Sequence, residues 1–258
     1  MRKPALLALL GLLAAALVAA TVALAARGGA PAAKTTLPRA VARTAAAPSL
    51  GFQLAARIQS AGVVPMILHA SGATSPTARR VHLKVEDVVA PDGTRLTGPS
   101  ADEKVDGRFL YVRSSATRTT FGPLWVREAL AALDSGSTEL KTLRAVSPDG
   151  LLAAAARARG VRPGPEAGVF HAWLPYRDPL VRAALAGVEG GIEYRHLRLT
   201  TWVGATGYVR LLLLTGRTPD GRSRLLLTLS LTDVGRRVAV GPPKAGSFVD
   251  FQLDTLRE

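Results

Sequence analysis

The histidines and the carboxylates are the side chains of this chain that could do acid–base chemistry or bind a metal. The four histidines, His69, His82, His171 and His196, are isolated from one another in the sequence. No two of them have the i, i+4 spacing that places a pair of metal ligands on one face of a helix. An isolated histidine on the polar side of a strand is typical of a solvated surface. The histidine pattern therefore predicts no metal site.

The acidic residues and the short motifs lead to the same expectation. Glu86, Asp87, Asp102 and Glu103 could come together in a fold, but nothing in the sequence selects two of them as a general acid and its base. The chain has no Gly-x-Ser-x-Gly motif, no Walker-type phosphate loop and no cysteine. The lack of cysteine excludes disulfides, thiolate metal ligands and thiol nucleophiles. These observations predict a protein that is not an enzyme and has no catalytic residue, cofactor or metal.

The charge of the chain indicates its partners. The formal net charge is +14 over 258 residues. Because the arginines are scattered and aromatic residues are few, we expect no binding to nucleic acid and favour an anionic membrane surface or lipid headgroups. The alternative is an arginine-rich composition whose side chains are simply solvated.

The N-terminus predicts export. Arg2 and Lys3 precede an unbroken apolar run from Pro4 to Ala26, so residues 1–26 are either a signal peptide or a membrane anchor. Both alternatives place the body of the protein outside the cytoplasm, anchored by residues 4–26 or secreted after cleavage. An Ala- and Pro-rich stretch, 27–48, is then expected to be a flexible linker. The folded domain is predicted over 49–252, followed by a tail at 253–258.

The C-terminal third has the clearest strand pattern. Three strands are predicted at Arg195–Val203, Tyr208–Thr215 and Arg224–Val234, joined by turns that contain Gly207 and Gly221. Leucines alternate with threonine and serine along the last strand, which is typical of a strand with one buried face. Earlier strands are predicted at Phe52–Ile58, Met66–Ala70, Val81–Val85, Phe109–Arg113 and Val169–Leu174, with a possible strand start at Thr94–Leu96.

Two helices are predicted from their N-terminal caps. Ser147-Pro148 and Asp178-Pro179 each place a capping residue before a first-turn proline and an apolar run. The segment Leu124–Leu133 fits either a helix or a strand. Strands that follow one another through short turns make an antiparallel sheet, so we predict an α+β fold with two or three helices on one face of a curved sheet.

The end of the chain resembles a known family. Leu225–Asp250 is similar to the closing strand and tail of the LppX/LprG group of actinobacterial envelope lipoproteins. The matching elements are an Asp-x-Gly turn at Asp233–Gly235, a short strand at Val238–Val240, Pro242-Pro243 and Val249-Asp250. Leu199–Leu214 looks like the hairpin of the same family, and Pro123–Val126 looks like its Pro-Trp stretch. This chain departs from the family in having no cysteine for lipidation.

The resemblance implies a half-barrel sheet with helices on its concave face, as in LolA and LolB. It also implies an apolar cavity between sheet and helices, in which family members carry acylated lipids or glycolipids in the cell envelope. Strand alternation and helical spacing give the candidate cavity residues Val81, Leu83, Val85, Leu151, Leu152, Val181, Leu185, Leu197, Leu199, Val203, Leu225, Leu227, Leu229 and Leu231. These residues could equally form an ordinary packed core. The alternative function is a membrane-tethered sensor or interaction domain that binds an envelope protein partner.

Overall fold

The computed structural model describes residues 35–60, 65–75, 78–87, 97–132, 147–186 and 193–250. The predicted N-terminal segment 1–26, the possible strand start at Thr94–Leu96 and the tail 253–258 lie outside these residues. Within the described ranges, no helix is long and apolar enough to cross a membrane. The described helices are α1 (Leu37–Ala45), α2 (Ser115–Phe121), α3 (Pro148–Ala155) and α4 (Pro179–Leu185).

Twelve strands form one open, curved sheet. Their spatial order is β12-β6-β5-β4-β3-β2-β1-β11-β10-β9-β8-β7. All neighbouring pairs are antiparallel except β12 and β6, which run parallel. The predicted α+β class with a curved antiparallel sheet is confirmed. The strands are β1 (Leu50–Ser60), β2 (Met66–Thr74), β3 (Ala78–Asp87), β4 (Thr97–Asp106), β5 (Phe109–Ser114), β6 (Trp125–Ala129), β7 (Arg159–Pro163), β8 (Val169–Leu174), β9 (Leu197–Val203), β10 (Val209–Arg217), β11 (Ser223–Thr232) and β12 (Phe248–Asp250).

Strand β11 lies near the centre of the sheet, and its alternating leucines are buried on one face as predicted. Leu229 lies directly opposite Leu54 of β1 and Leu212 of β10, so three leucines form a row across neighbouring strands. Residues directly opposite in a sheet point to the same face, and this face is buried. Thr228 and Ser230, which alternate with these leucines, are half-buried on the other face. We call the buried side the concave face and the other side the outer face.

Helices α1, α3 and α4 cover the concave face. Val181 of α4 and Leu152 of α3 belong to the same core as the leucines of β11, and α3 packs directly against α4. The cap of α4 forms as predicted, since the Asp178 carboxylate accepts a hydrogen bond from the backbone N–H of Leu180 at 2.9 Å. Ser147 occupies the N-cap position of α3, but its side chain makes no capping hydrogen bond.

The expectation of a flexible linker over 27–48 is wrong for residues 37–45, which form α1. Leu37, Ala40, Val41 and Thr44 repeat at i, i+3, i+4 and i+7, and all four are buried against the sheet. The Thr44 hydroxyl donates to the carbonyl of Ala40 at 2.7 Å and accepts from the N–H of Val209 at 2.9 Å. Composition concealed this helix because it lies in an Ala- and Pro-rich stretch, where Leu37 and Val41 are only half of the buried stripe.

Several element boundaries also differ from the prediction. The second strand is Met66–Thr74, four residues longer than the predicted Met66–Ala70. The ambiguous segment Leu124–Leu133 contains the strand Trp125–Ala129. Val238–Val240, which the family resemblance implied to be a strand, has no regular structure. Sequence reasoning missed α2, β7 and β12.

The parallel pairing of β12 with β6 is stabilised by side-chain contacts that β12 makes with β6 and β5. Arg127 of β6 donates two hydrogen bonds to the Asp250 carboxylate of β12, one of them at 2.8 Å from Nη2 to Oδ2. These hydrogen bonds hold the pKa of Asp250 below its ordinary value. The Phe248 ring packs edge-on against Tyr111, with 5.4 Å between ring centroids. A two-point salt bridge and an aromatic contact thus hold a strand of only three residues.

Candidate functional site

The structure brings nearly all of the predicted cavity residues together. Thirteen of the fourteen belong to one buried hydrophobic cluster between the sheet and α1, α3 and α4. Val85 lies on β3 opposite Leu68, and its side chain is outside the described part of the chain. The alternation in the strands and the helical spacing therefore placed these residues on facing surfaces, as their periodicities require. Their proposed role in binding lipid stays a prediction.

The space between these residues is closed. Leu152, Val181, Leu185 and Leu229 each have 0% of their surface accessible to solvent. A side chain that lined an empty cavity of molecular size would retain accessible surface on the cavity side. These four side chains therefore contact their neighbours as a packed core, with no vacant space beside them among the described residues.

One polar group interrupts the apolar surface. Thr201 of β9 points to the concave face between Leu199 and Val203, and it is fully buried. Its hydroxyl has no hydrogen-bond partner among the described residues. A buried hydroxyl without a partner costs roughly 1–3 kcal/mol, so this position would gain from an acceptor brought by a ligand.

The outer face carries a charged cluster around Asp102 of β4. The Asp102 carboxylate lies 2.8 Å from Nδ1 of His82, 2.9 Å from Nη2 of Arg113 and 3.8 Å from Nη2 of Arg118. Burial alone would raise the pKa of Asp102, but hydrogen bonds from His82 and Arg113 outweigh burial and hold that pKa below its ordinary value. Asp102 is thus an ionised carboxylate that balances the positive groups around it.

Beside this cluster, two cations lie over the ring of Trp125. Nζ of Lys104 is 5.1 Å from the ring centroid and the guanidinium carbon of Arg113 is 4.6 Å from it. Partial burial, together with the charges of Arg80 and Arg113, lowers the pKa of Lys104. The same residues line a cleft of about 550 Å³ on the outer face. Since Trp125 is buried, it packs as part of the structure and is not an exposed contact residue.

The carboxylates considered for acid–base chemistry are described only in part, since the side chains of Glu86 and Asp87 lie outside the described part of the chain. Asp102 points to the outer face, while its neighbour Glu103 is buried on the other side of β4, so the two carboxylates are separated by the sheet. Nδ1 of His171 lies 3.1 Å from the hydroxyl of Thr200, and both are on the outer face. No group of three or more potential metal ligands occurs in the part of the chain that the structure describes.

Comparisons with known proteins leave the family open. No protein-family model matches the chain, and no curated protein matches it. Among solved structures, a LolA superfamily protein of Nitrosomonas europaea aligns with 80% of this chain and 96% of its own, at 10% sequence identity and a TM-score of 0.29. A similarity at that TM-score carries no argument about function. The function is therefore inferred from the geometry of this chain.

Proposed function

We propose that the protein binds the acyl chains of a lipid or acylated glycolipid between its sheet and its helices, and carries or presents that lipid in the cell envelope. The observation that most directly supports this proposal is that only short helices cover the leucine-rich concave face of the sheet. Three helices of 9, 8 and 7 residues lie over the central strands of a twelve-stranded sheet. Helices this short are marginal by themselves and keep their position through packing on the sheet.

An acyl chain could replace part of that packing. Buried hydrocarbon contributes about 0.8 kcal/mol per CH₂, so two long chains offer enough free energy to displace α3 and α4 from contact with β9–β11. The closed core is then the unloaded state, and loading separates the helices from the sheet. No catalytic group is needed for this activity.

The buried hydroxyl of Thr201 supports an ester-linked lipid in particular. In glycerolipids and other ester-linked lipids the acyl chain ends in an ester carbonyl, which is a hydrogen-bond acceptor. Thr201 lies among the leucines and valines of the concave face with its donor unused. A carbonyl placed there would remove the cost of the unpaired hydroxyl.

The predicted export completes the proposal. With residues 1–26 as a signal peptide or an anchor, the domain would act outside the cytoplasm at the membrane surface. The lipid would then be taken from, or delivered to, that surface.

A second candidate function is a membrane-tethered domain that binds an envelope protein partner and no lipid. The tight closure of the core favours it, because Leu152, Leu185 and Leu229 leave no accessible surface for a ligand. The two candidates differ in whether the leucine face ever opens.

Native mass spectrometry of the full chain, purified from its own host in a neutral detergent, tests the proposal. Co-purified lipid, or uptake of a fluorescent phospholipid analogue by the delipidated protein, is the expected result. Leu229→Trp should abolish uptake because the larger indole occupies the space between sheet and helices that an acyl chain would enter. Since the indole also overpacks the closed core, a thermal melt must show that the variant still folds. The matched variant Leu213→Trp, on the outer face of the neighbouring strand, should retain uptake. A wild-type protein that neither retains nor takes up lipid would reject the carrier function and favour the protein partner.

Thr201→Val gives an independent test. Removing an unpaired buried hydroxyl should leave the protein at least as stable as the wild type. The affinity for an ester-linked lipid should fall, whereas the affinity for an alkyl chain without a carbonyl should not change. Equal loss for both ligands would show that Thr201 contacts no ester.

A further inference from the structure

A second basic cleft lies on the outer face, at the end of the sheet where β1 and β10 finish and β9 and β11 begin. Four adjacent strands, β1, β11, β10 and β9, contribute one arginine each. These arginines, together with His196, line a cleft of about 570 Å³, and none of the described residues that line it is acidic. We call this feature the arginine cleft; its arginines are Arg57, Arg224, Arg217 and Arg198.

The strand register concentrates this positive charge. Arg217 lies directly opposite Arg224, and Arg198 lies opposite Thr215, two residues before Arg217. Like charges directly opposite each other in a sheet destabilise it. The fold thus holds together side chains that repel one another, and an anion placed between them would remove the repulsion.

The arginines of the cleft differ from the ion-paired arginines of β5 and β6 on the outer face. Arg113 and Arg127 have carboxylate partners in Asp102 and Asp250. None of the four cleft arginines forms an ion pair with any residue that the structure describes. In addition, Nε of Arg57 is buried and has no hydrogen-bond partner there. Guanidinium groups with unused donors are suited to the oxygen atoms of a phosphate.

An exposed tryptophan adjoins the cleft. Trp173 of β8 is directly opposite Arg198 and shares its face of the sheet. Its side chain is 47% exposed, the highest value among the large exposed hydrophobic residues of the described chain. Tryptophan is enriched at the membrane interface, where the ring lies among the headgroups. The guanidinium carbon of Arg159 lies 5.8 Å from the centroid of the Trp173 ring. The part of the ring that stays exposed suits a phospholipid surface better than a soluble phosphate compound.

We propose that the arginine cleft binds the phosphate of an anionic lipid headgroup and that Trp173 enters the membrane interface beside it. This site is on the opposite face of the sheet from the leucine core, so the inference does not depend on acyl-chain uptake. Binding at this site would orient the domain so that the part of its outer face around Trp173 of β8 and Arg198 of β9 lies against the membrane.

The test uses the full chain in neutral detergent micelles. Binding of dihexanoyl phosphatidylglycerol is measured calorimetrically, with dihexanoyl phosphatidylcholine and inorganic phosphate as comparison probes. We expect phosphatidylglycerol to bind at least tenfold more tightly than either, with an affinity that falls as salt is added. Its addition should also shift tryptophan emission to the blue in the wild type but not in Trp173→Phe.

Two variants, each with four Arg→Gln changes and therefore the same loss of charge, distinguish binding at the arginine cleft from attraction to the overall positive charge. The cleft variant carries Arg→Gln changes at 57, 198, 217 and 224, and the control carries them at the exposed positions 39, 108, 182 and 237. The cleft variant should lose at least tenfold in affinity while unfolding at the same or a higher temperature, because repulsion is relieved. The control should stay within about threefold of the wild type.

Three outcomes would overturn the proposal. Equal losses in both variants would mean that binding depends on overall charge. An unchanged affinity in the cleft variant would place the ligand elsewhere. Inorganic phosphate binding as tightly as phosphatidylglycerol would identify a site for free phosphate. The uptake assay with Leu229→Trp tests a different face of the sheet. The headgroup-binding proposal and the lipid-carrier proposal can therefore fail independently of each other.

Discussion

Replacing Leu229 by alanine tests how the concave face is packed. The substitution removes three carbon atoms from a side chain with no accessible surface, in the strand next to β1 at the middle of the sheet. At about 0.8 kcal/mol per CH₂, the transfer contribution is about 2.4 kcal/mol. The neighbours Leu54 and Leu212 are held in place by the hydrogen bonds of their own strands, so they cannot close the gap. The cavity then raises the expected loss to about 3–4 kcal/mol.

The assay is urea denaturation of the full chain followed by far-UV circular dichroism. The matched control is Leu213→Ala, which removes the same atoms from a half-buried position on the outer face, opposite Thr228 and Thr200. We expect the control to cost about 1 kcal/mol or less. Equal losses of stability in the two variants would refute the reasoning, because the two faces would then be packed equally well. A loss near 1 kcal/mol for Leu229→Ala would show that the helices do not press closely on the sheet.

Three further predictions concern groups outside the leucine row. Because its pKa is lowered in the folded state, the Asp102 carboxylate stabilises the fold above the ordinary carboxyl pKa of about 4, and this stabilisation is lost as pH falls through the folded-state pKa. Asp102→Asn should therefore lower the melting temperature at pH 7, and the difference from the wild type should shrink as pH falls below about 4. Thr44→Val removes the acceptor of the buried N–H of Val209, so the free energy of unfolding should fall by about 1–3 kcal/mol. Faster hydrogen exchange at the Val209 amide would show that α1 packs less tightly in this variant. Asp178→Ala should lower the free energy of unfolding by about 1 kcal/mol, because the helix α4 loses its capping hydrogen bond. Ser147→Ala, at a cap position without a hydrogen bond, should change it by only about 0.3 kcal/mol. Equal effects would mean that the cap hydrogen bond of Asp178 contributes nothing to stability.

Local sequence patterns decided the strands and the two proline-led helices. The alternation along β11 identified both its buried face and its position in the core, because a strand repeats every two residues whatever it pairs with. Gly207 and Gly221 marked turns correctly, and both adopt positive φ. Asp178-Pro179 marked the start of α4, because the cap is formed by a residue and its own neighbours in the chain.

Signals that depend on distant residues were missed or misread. The helix α1 is only nine residues long and is stabilised by packing its buried stripe on β9 and β10. Strand β12 is too short to predict and is held by Asp250 on Arg127, a pair separated by 123 positions in the chain. The packing of the leucine face was also beyond the sequence, since a core and a cavity use the same residues and differ only in the spacing between layers.

The arginine cleft shows the same division most clearly. The sequence determined that the chain is basic and that its arginines are scattered along it. Only the tertiary structure brought Arg57, Arg198, Arg217 and Arg224 side by side, because β1 pairs with β11 across more than 160 positions of the chain. Residue types fix which charges a protein carries, whereas the strand order and the register decide which of those charges become neighbours.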